Sequence, residues 1–369
     1  MKNKNLKILI SGGGTGGHIF PAVSIANEIK RRESSSRILF IGAKGRMEME
    51  KVPKAGYEII GLPVQGFQRR LTLKNLSFFP KLLKSISSAK QIVKNFRPDV
   101  VIGTGGFASG PVVYAATKYS VPVLIQEQNS LPGVTNKILG KKADVICVAY
   151  EEAIKFFPQE KVVLTGNPIR KEITEIEGKR EDALKYFGLQ PDKPVVLVVG
   201  GSLGALAINE AVHAGYRKLT ENGVQLIWQT GKSYLGKVDN VADLQKQGVV
   251  VKDFIYKMDY AYAAADIIVS RAGAMSISEL AVIGKPVILV PSPYVAENHQ
   301  YKNAMALVSK DAAVLVKNDE AKDKLVPEIL NLTADEEKRR MLGNNIKKFA
   351  KPNATQSIVD EVFKLIDKR

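Results

Sequence analysis

The chain is poor in sulfur and imidazole and has no long apolar run: one cysteine and three histidines occur in 369 residues. A lone thiol, Cys147, excludes a disulfide framework, and its place in the apolar run Val145 to Ala149 makes it a packing residue. With no histidine, cysteine or carboxylate cluster at ligand spacing, no protein metal site is expected, although Mg²⁺ dependence stays compatible with the sequence. The absence of a stretch of about 18 apolar residues predicts no transmembrane helix. Met1-Lys-Asn-Lys-Asn5 leads straight into a strand, with no room for a signal peptide's apolar region, so a cytoplasmic protein is expected. Neither a Gly-x-Ser-x-Gly elbow nor a Walker sequence is present.

Acidic residues are missing from one long stretch. Between Glu58 and Asp99 there is none, while Arg69, Arg70, Lys74, Lys81, Lys84, Lys90, Lys94 and Arg97 all fall there. Of the formal charge of +17, residues 1 to 165 hold 25 Lys and Arg against 11 Asp and Glu, a surplus of 14. An anionic partner is expected to meet this half. The length predicts two domains, and 45% hydrophobic with 25% charged residues is the composition of a soluble globular protein.

What is abundant is glycine, placed where it matters. Ile10-Ser-Gly-Gly-Gly-Thr-Gly-Gly-His-Ile-Phe-Pro21 sets five glycines and a histidine between an apolar strand, Lys7-Ile-Leu-Ile10, and a helix spaced over Ala22 to Arg32. Such a turn lets the backbone approach a ligand, and the first N–H groups of the helix present partial positive charge. It suits an anion, most often a phosphate. Gly12-x-Gly14-x-x-Gly17 fits the dinucleotide fingerprint, yet no acid closes the second strand to hold a ribose. Arg37 to Gly42 runs into Ala43-Lys44-Gly45-Arg46, which argues against NAD and leaves NADP open.

Further along, Pro53 to Leu62 reads as a glycine-broken strand and Pro63 to Arg70 as an exposed loop. Leu73, Leu76, Phe78, Phe79, Leu82, Leu83 and Ile86 then recur at mostly helical spacing, interleaved with Lys74, Lys81 and Lys84. The plain reading is a surface helix packed on a sheet. The sharper one is a basic amphipathic patch for an anionic bilayer, and nucleic acid ranks third because no motif for it is present. Pro98 to Gly103 is a strand followed by a second glycine turn, Thr104 to Pro111, and a helix through Lys118. Val121 to Gln126 ends in Glu127-Gln128-Asn129, polar groups at the strand edge where ligands of open parallel sheets bind, though Asn129 could be no more than a cap. Asp144 to Val148 reads as the last strand of this half, and Val162 to Arg170 leaves it.

The pattern then restarts. Val195 to Val199 is a strand, Gly200-Gly-Ser-Leu-Gly204 a phosphate-type turn and Ala205 to Leu219 a helix. Further strands are expected at Leu226 to Gln229, Val249 to Val251, Ile267 to Ser270 and Pro286 to Val290, with a closing helix over Thr355 to Lys368 that could pack on either half. Arg271 to Glu279 is a strand-to-helix turn whose Glu279 could chelate a ribose diol or simply cap a helix. The fold class is α/β, two Rossmann-like domains with parallel sheets and phosphate turns facing across a cleft. His213 reads as structural, while His18, beside the first turn, reads as a base of near-neutral pKa. What remains is transfer of, or from, a phosphate-bearing ligand.

Taken together, Gly12 to His18, Gly105 to Pro111, Glu127 to Asn129 with Gly133-Val-Thr-Asn136, Gly166-Asn-Pro168 with Arg170, Gly200 to Ala205, Arg271 to Glu279, and His299-Gln300 with Asn303 form a series. It resembles, in order along almost the whole chain, the MurG family of peptidoglycan glycosyltransferases. The resemblance implies a GT-B fold, with residues 1–165 and 353–369 forming an acceptor and membrane domain and 166–352 a donor domain. It implies inverting transfer of GlcNAc from UDP-GlcNAc to the muramoyl 4-hydroxyl of lipid I, giving lipid II for the cell wall and so for cell shape and division.

Carried over by position, Ser202 would hold the UDP diphosphate, Ile255 backbone the uracil and Glu279 the ribose. Ala274, Met275, Ser276, Ile277, Ser278 and Gln300 would face the donor's sugar side, with Arg170 near the phosphates. Thr15, Gly16, Gly17 and Asn129 would complete the donor site. His18 resembles the family's candidate base, and Glu127 could share or take that task. Gly13, Gly14, Gly105, Gly106 and Ser109 would bind the acceptor's diphosphate. Arg69, Arg70, Lys74, Leu76, Phe78, Phe79, Lys81, Leu82 and Lys84 would dock on the cytoplasmic face of the membrane as a peripheral contact. No tightly bound cofactor is implied, and other cell-wall synthesis proteins are possible partners. Gln126, Leu203 and Phe107 depart from residues frequent in the family. A UDP-GlcNAc epimerase on the same fold, or a non-catalytic membrane-associated nucleotide-binding regulator, are the competing readings.

Overall fold

A computed structural model describes residues 5–64, 78–295 and 298–368. The chain divides into two units, Met1–Arg170 with Lys351–Arg369, and Lys171–Ala350. The first runs β1 (Lys7–Gly12), α1 (Gly16–Arg32), β2 (Arg37–Ala43), α2 (Glu48–Lys54), β3 (Glu58–Leu62), α3 (Phe78–Phe96), β4 (Val100–Gly105), α4 (Ser109–Lys118), β5 (Val123–Glu127), α5 (Val134–Gly140), β6 (Val145–Val148) and β7 (Val162–Leu164). The second runs α6 (Lys171–Thr174), α7 (Arg180–Phe187), β8 (Val195–Val199), α8 (Leu206–Glu221), β9 (Gln225–Gln229), α9 (Lys232–Leu235), α10 (Val241–Lys246), β10 (Val249–Lys252), α11 (Met258–Ala264), β11 (Ile267–Ser270), α12 (Ala274–Ile283), β12 (Val287–Leu289), α13 (His299–Val308), β13 (Val314–Leu315), α14 (Ala321–Ala334) and α15 (Glu336–Lys347). The closing helix, α16 (Ala354–Asp367), belongs to the first unit.

Both sheets are wholly parallel, in the orders β3-β2-β1-β4-β5-β6-β7 and β10-β9-β8-β11-β12-β13. Their strands are short apolar runs because helices cover both faces. In the first unit alternate residues divide between two cores. Leu9, Val101 and Ile125 pack with Ala89 and Val93 of α3 and Val112 of α4. Ile8, Ile10, Ile102 and Leu124 pack with Ile25 and Ile29 of α1 and with Ile358 and Val362 of α16. That apolar face, and the bonds of Arg32 to Asp360 and the Gln356 carbonyl, bring the closing helix to this unit. In the second unit Val196, Val198 and Trp228 pack with Ile208 and Val212 of α8 and Leu325 and Ile329 of α14.

Four local readings are corrected. The first helix begins at Gly16, not near Ala22, because Thr15 is an extended cap whose carbonyl accepts from the His18 and Ile19 amides. Glu48–Lys54 is a helix, where no element was expected ahead of the broken strand read from Pro53; acids in its first turn and lysines in its last suit the helix dipole. Val162–Leu164 pairs with β6 as a seventh strand rather than leaving the sheet. Gly166 to Arg170 stays with the first unit, since the Gly166 amide donates to the Val148 carbonyl and Thr355 Oγ1 to the Ile169 carbonyl.

Candidate active site

In an open parallel sheet the crevice forms where strand order reverses, outside the carboxyl ends of the two central strands. In the first unit those are β1 and β4, followed by the two glycine turns; in the second they are β8 and β11, followed by Gly200–Gly204 and Arg271–Gly273. Topology alone therefore brings the glycine turns together in pairs.

The first pair touches. The Gly13 amide donates to the Gly105 carbonyl at 3.3 Å, and a Cβ on Gly106 would lie 2.2 Å from the Gly13 oxygen, at a φ of +82°. Only glycine fits there. His18, in the first turn of α1, has Nδ1 3.1 Å from the Gly13 carbonyl and 3.2 Å from Thr15 Oγ1. A carbonyl only accepts, so Nδ1 carries the proton and Nε2 keeps the lone pair. A Cβ on Gly105 would lie 3.1 Å from Nε2, so that glycine makes room for the ring. Burial pushes the His18 pKa below its ordinary 6.5; the charge of Glu127, the bond to Gly13 and the charge of Glu48 offset part of this.

Glu48 is a site residue that the sequence reading missed. Fully buried, its carboxylate accepts from the Gly14 amide and the Ala43 amide, each at 2.9 Å. The acid sought at the end of β2 thus arrives at the start of α2, and it anchors the glycine turn. Its signal was a carboxylate just past Gly45-Arg46 in a strongly basic half.

Glu127, 2% exposed, has both oxygens engaged. Oε1 accepts from the Asn129 amide at 2.9 Å and Asn129 Nδ2 at 3.1 Å; Oε2 accepts from the Gly133 amide at 3.2 Å and Asn136 Nδ2 at 2.9 Å. Four donors match the roughly four lone-pair sites of a carboxylate. Beneath it, Gln128 Nε2 donates to the Thr104 carbonyl at 2.8 Å and Asn167 Nδ2 to the Gln128 carbonyl at 3.1 Å. Asn136 in α5 and Asn167 in the loop after β7 were legible only as parts of motifs, since a single buried polar residue has no periodicity.

Ser109 is buried and its hydroxyl donates to the Gly106 carbonyl, so the side chain shapes the second turn from within. Gly16 and Gly17 open α1, and Arg170 lies over the Phe20 ring at 5.6 Å. Of the basic segment, Arg69, Arg70, Lys74 and Leu76 lie outside the described residues. Phe78, Phe79, Lys81, Leu82 and Lys84 form the start of α3, where Phe79 is 65% and Leu83 69% exposed.

In the second unit the Gly200–Gly204 turn, with Ser202, precedes α8, and Gly201 and Gly204 have positive φ. Ile255, expected to read a base, donates its N–H to Gln229 Oε1 at 2.9 Å. Ala274, Met275 and Ser276 form the first turn of α12, with Ile277 buried and Ser278 Oγ bonded to the Ala274 carbonyl. Glu279 Oε2 meets Tyr262 OH at 3.2 Å. Gln300 Oε1 accepts from the Ser292 amide at 2.9 Å, and Asn303 Nδ2 donates to the Ala272 carbonyl at 3.2 Å. His213, bonded to Tyr234 OH at 3.2 Å, is structural. Among the described residues no group of three or more His, Cys, Asp or Glu could hold a metal.

Comparison with known proteins agrees with this layout. Residues 8–148 match the glycosyltransferase family 28 N-terminal domain and residues 195–358 the family's C-terminal domain. The chain is 53% identical over 366 residues to the UDP-N-acetylglucosamine–N-acetylmuramyl-(pentapeptide) pyrophosphoryl-undecaprenol N-acetylglucosamine transferase of Christiangramia forsetii, covering 99% of each chain. The protein of that name from Parabacteroides distasonis is 52% identical, with 99% of this chain and 100% of the relative covered. The crystal structure of Acinetobacter baumannii MurG superposes with a TM-score of 0.72 at 28% identity, covering 97% of this chain and 99% of that one. A UDP-GlcNAc 2-epimerase from Neisseria meningitidis superposes with a TM-score of 0.68 at 16% identity, covering 97% and 100%, which is likeness of fold alone. The chain belongs to glycosyltransferase family 28 and, within it, to the MurG family of GT-B fold.

Proposed function

We propose that this protein transfers GlcNAc from UDP-GlcNAc to the muramoyl 4-hydroxyl of undecaprenyl-diphospho-MurNAc-pentapeptide, with inversion to a β(1→4) linkage. The observation that carries the reading is its identity of about half to transferases of that name over the whole chain. His18 Nε2 takes the proton of the acceptor hydroxyl. The oxygen attacks the anomeric carbon opposite the leaving group, and the bond from that carbon to the diphosphate oxygen breaks, its electron pair leaving with UDP. Supporting His18 as the base are its orienting bond to Gly13 and a pKa lowered by burial, which keeps it neutral near pH 7. Glu127, with four donors on its carboxylate, is read as the residue that shapes the Asn129–Asn136 loop. In the donor unit, Ser202 with its turn and the first turn of α12 receive the diphosphate and sugar, and Glu279, steadied by Tyr262, the ribose hydroxyls.

The acceptor is a membrane anion, and the start of α3 suits a membrane surface. Exposed Phe79 and Leu83 stand one turn apart beside exposed Lys81 and Lys84, and α5 adds Val134 at 70% and Ile138 at 64% exposure. This reading places the protein peripherally on the cytoplasmic face. Incubating the protein with UDP-GlcNAc, with and without a lipid I analogue, tests the activity. UDP release that requires the analogue is expected; release with UDP-GlcNAc alone, or none with both substrates, would count against transfer.

A further inference from the structure

We infer that Gln229 is a positioning residue for the donor nucleotide, tying the diphosphate turn to the loop that reads the base. The inference rests on the donor-site reading above and adds to it a buried residue that touches neither phosphate nor base. Gln229 ends β9 and is 3% exposed. Its Nε2 donates to the Gly201 carbonyl at 3.0 Å, and its Oε1 accepts from the Ile255 amide at 2.9 Å. The Gly201 oxygen also accepts from the Gly204 amide at 2.9 Å, so two donors hold it in place.

A trans peptide points its C=O and N–H in opposite directions. Holding the Gly201 carbonyl against buried Gln229 therefore turns the Ser202 N–H to the open side of the turn, toward a phosphate oxygen. Holding the Ile255 N–H likewise fixes the plane of the Phe254–Ile255 peptide in the loop whose Ile255 backbone is read as facing the uracil. One carboxamide thus orients one peptide in each of the two loops. Asparagine has the same groups on a chain one methylene shorter, and no apolar side chain has either.

The packing around Gln229 shows that the three loops form one stack. A Cβ on Gly204 would lie 2.0 Å from the Thr230 oxygen, and one on Gly231 2.3 Å from the Leu203 oxygen, so the phosphate turn rests directly on the segment after Gln229. On its other side that segment bonds the base loop, with the Thr230 amide donating to the Lys252 carbonyl at 2.9 Å and the Gly231 amide to the Asp253 carbonyl at 3.1 Å. The backbone brings the loops together. Gln229 fixes the peptide planes that face the ligand.

The test compares wild type with Gln229→Met, which keeps the volume and removes both bonds, and with Gln229→Asn, which serves if the first variant fails to fold. Calorimetric titration with UDP, the KM and kcat for UDP-GlcNAc, and the melting temperature are read together. Both variants are expected to bind UDP about tenfold more weakly and to raise KM by a similar factor with kcat nearly unchanged, the scale of one to two lost hydrogen-bonded orientations. A lower melting temperature with unchanged UDP affinity and KM would overturn the inference. If wild type itself fails to bind UDP, the donor-site reading falls; if wild type binds and the variants bind equally well, only the role of Gln229 falls.

Discussion

His18 and Glu127 sit close enough for the carboxylate's charge to act on the imidazole, and their surroundings differ. The histidine has one nitrogen held by backbone and one lone pair left, whereas four donors surround the carboxylate. The two roles separate in a pH–rate profile. Activity of the wild type should fall in acid with a midpoint below 6.5, because burial lowers the His18 pKa and protonation removes the base. His18→Ala should lose about 10²- to 10⁴-fold in kcat, together with that acid limb. Glu127→Gln removes a charge that raises the His18 pKa, so its remaining activity should keep an acid limb displaced to lower pH. Disappearance of the limb in Glu127→Gln, with its retention in His18→Ala, would assign the base to Glu127. Gly106→Ala probes the turn itself. A methyl at a φ of +82°, 2.2 Å from the Gly13 oxygen, should cost on the order of 2 kcal/mol in urea unfolding.

At the scale of elements, the turns are held by groups that lie outside them. Glu48 of α2 holds Gly14, Thr104 Oγ1 donates to the His18 carbonyl, and Gln229 holds Gly201. In the second unit Lys285 closes α11 from below, its Nζ donating to the carbonyls of Tyr262 at 2.6 Å and Ala263 at 2.9 Å, and also to that of Ala265. Burial lowers its pKa to about 8 from 10.5. Between those values the unfolded chain binds the proton and the folded chain does not, so stability from this group rises as pH increases from 8 toward 10.5. Urea unfolding at pH 8 and 10 should show the wild type gaining on Lys285→Met over that range; a constant difference would show that the shift is absent. Helix α3 makes a different prediction. Lys81→Glu with Lys84→Glu should weaken binding to anionic vesicles by about thirtyfold or more, at roughly 1 kcal/mol for each lysine lost, and leave UDP affinity unchanged. Unchanged vesicle binding would remove this face from the membrane contact.

Across the whole molecule, the readable parts of the sequence were those with a repeating signal. Apolar strands alternating with helices announced two parallel sheets, and glycine turns after some of those strands marked the loops that the reversed strand order then brought side by side. Segments whose structure depends on a distant partner were not legible. The short edge strand Val162–Leu164 exists through its pairing with β6, and helix α2 hides behind Pro53. Glu48, Asn167 and Gln229 act through backbone groups far along the chain, so their sequence context hints at a site at most and does not disclose which groups they hold. The positive surplus of the first half was visible at once, and the proposed acceptor, a membrane anion, would give it a partner. The most direct measurement is the structure of the product formed from UDP-GlcNAc and a lipid I analogue, resolved by NMR against the UDP released. A β-configured GlcNAc on the muramoyl 4-oxygen, equimolar with UDP, is the predicted result. An α linkage, a different acceptor position, or UDP without disaccharide would contradict the account.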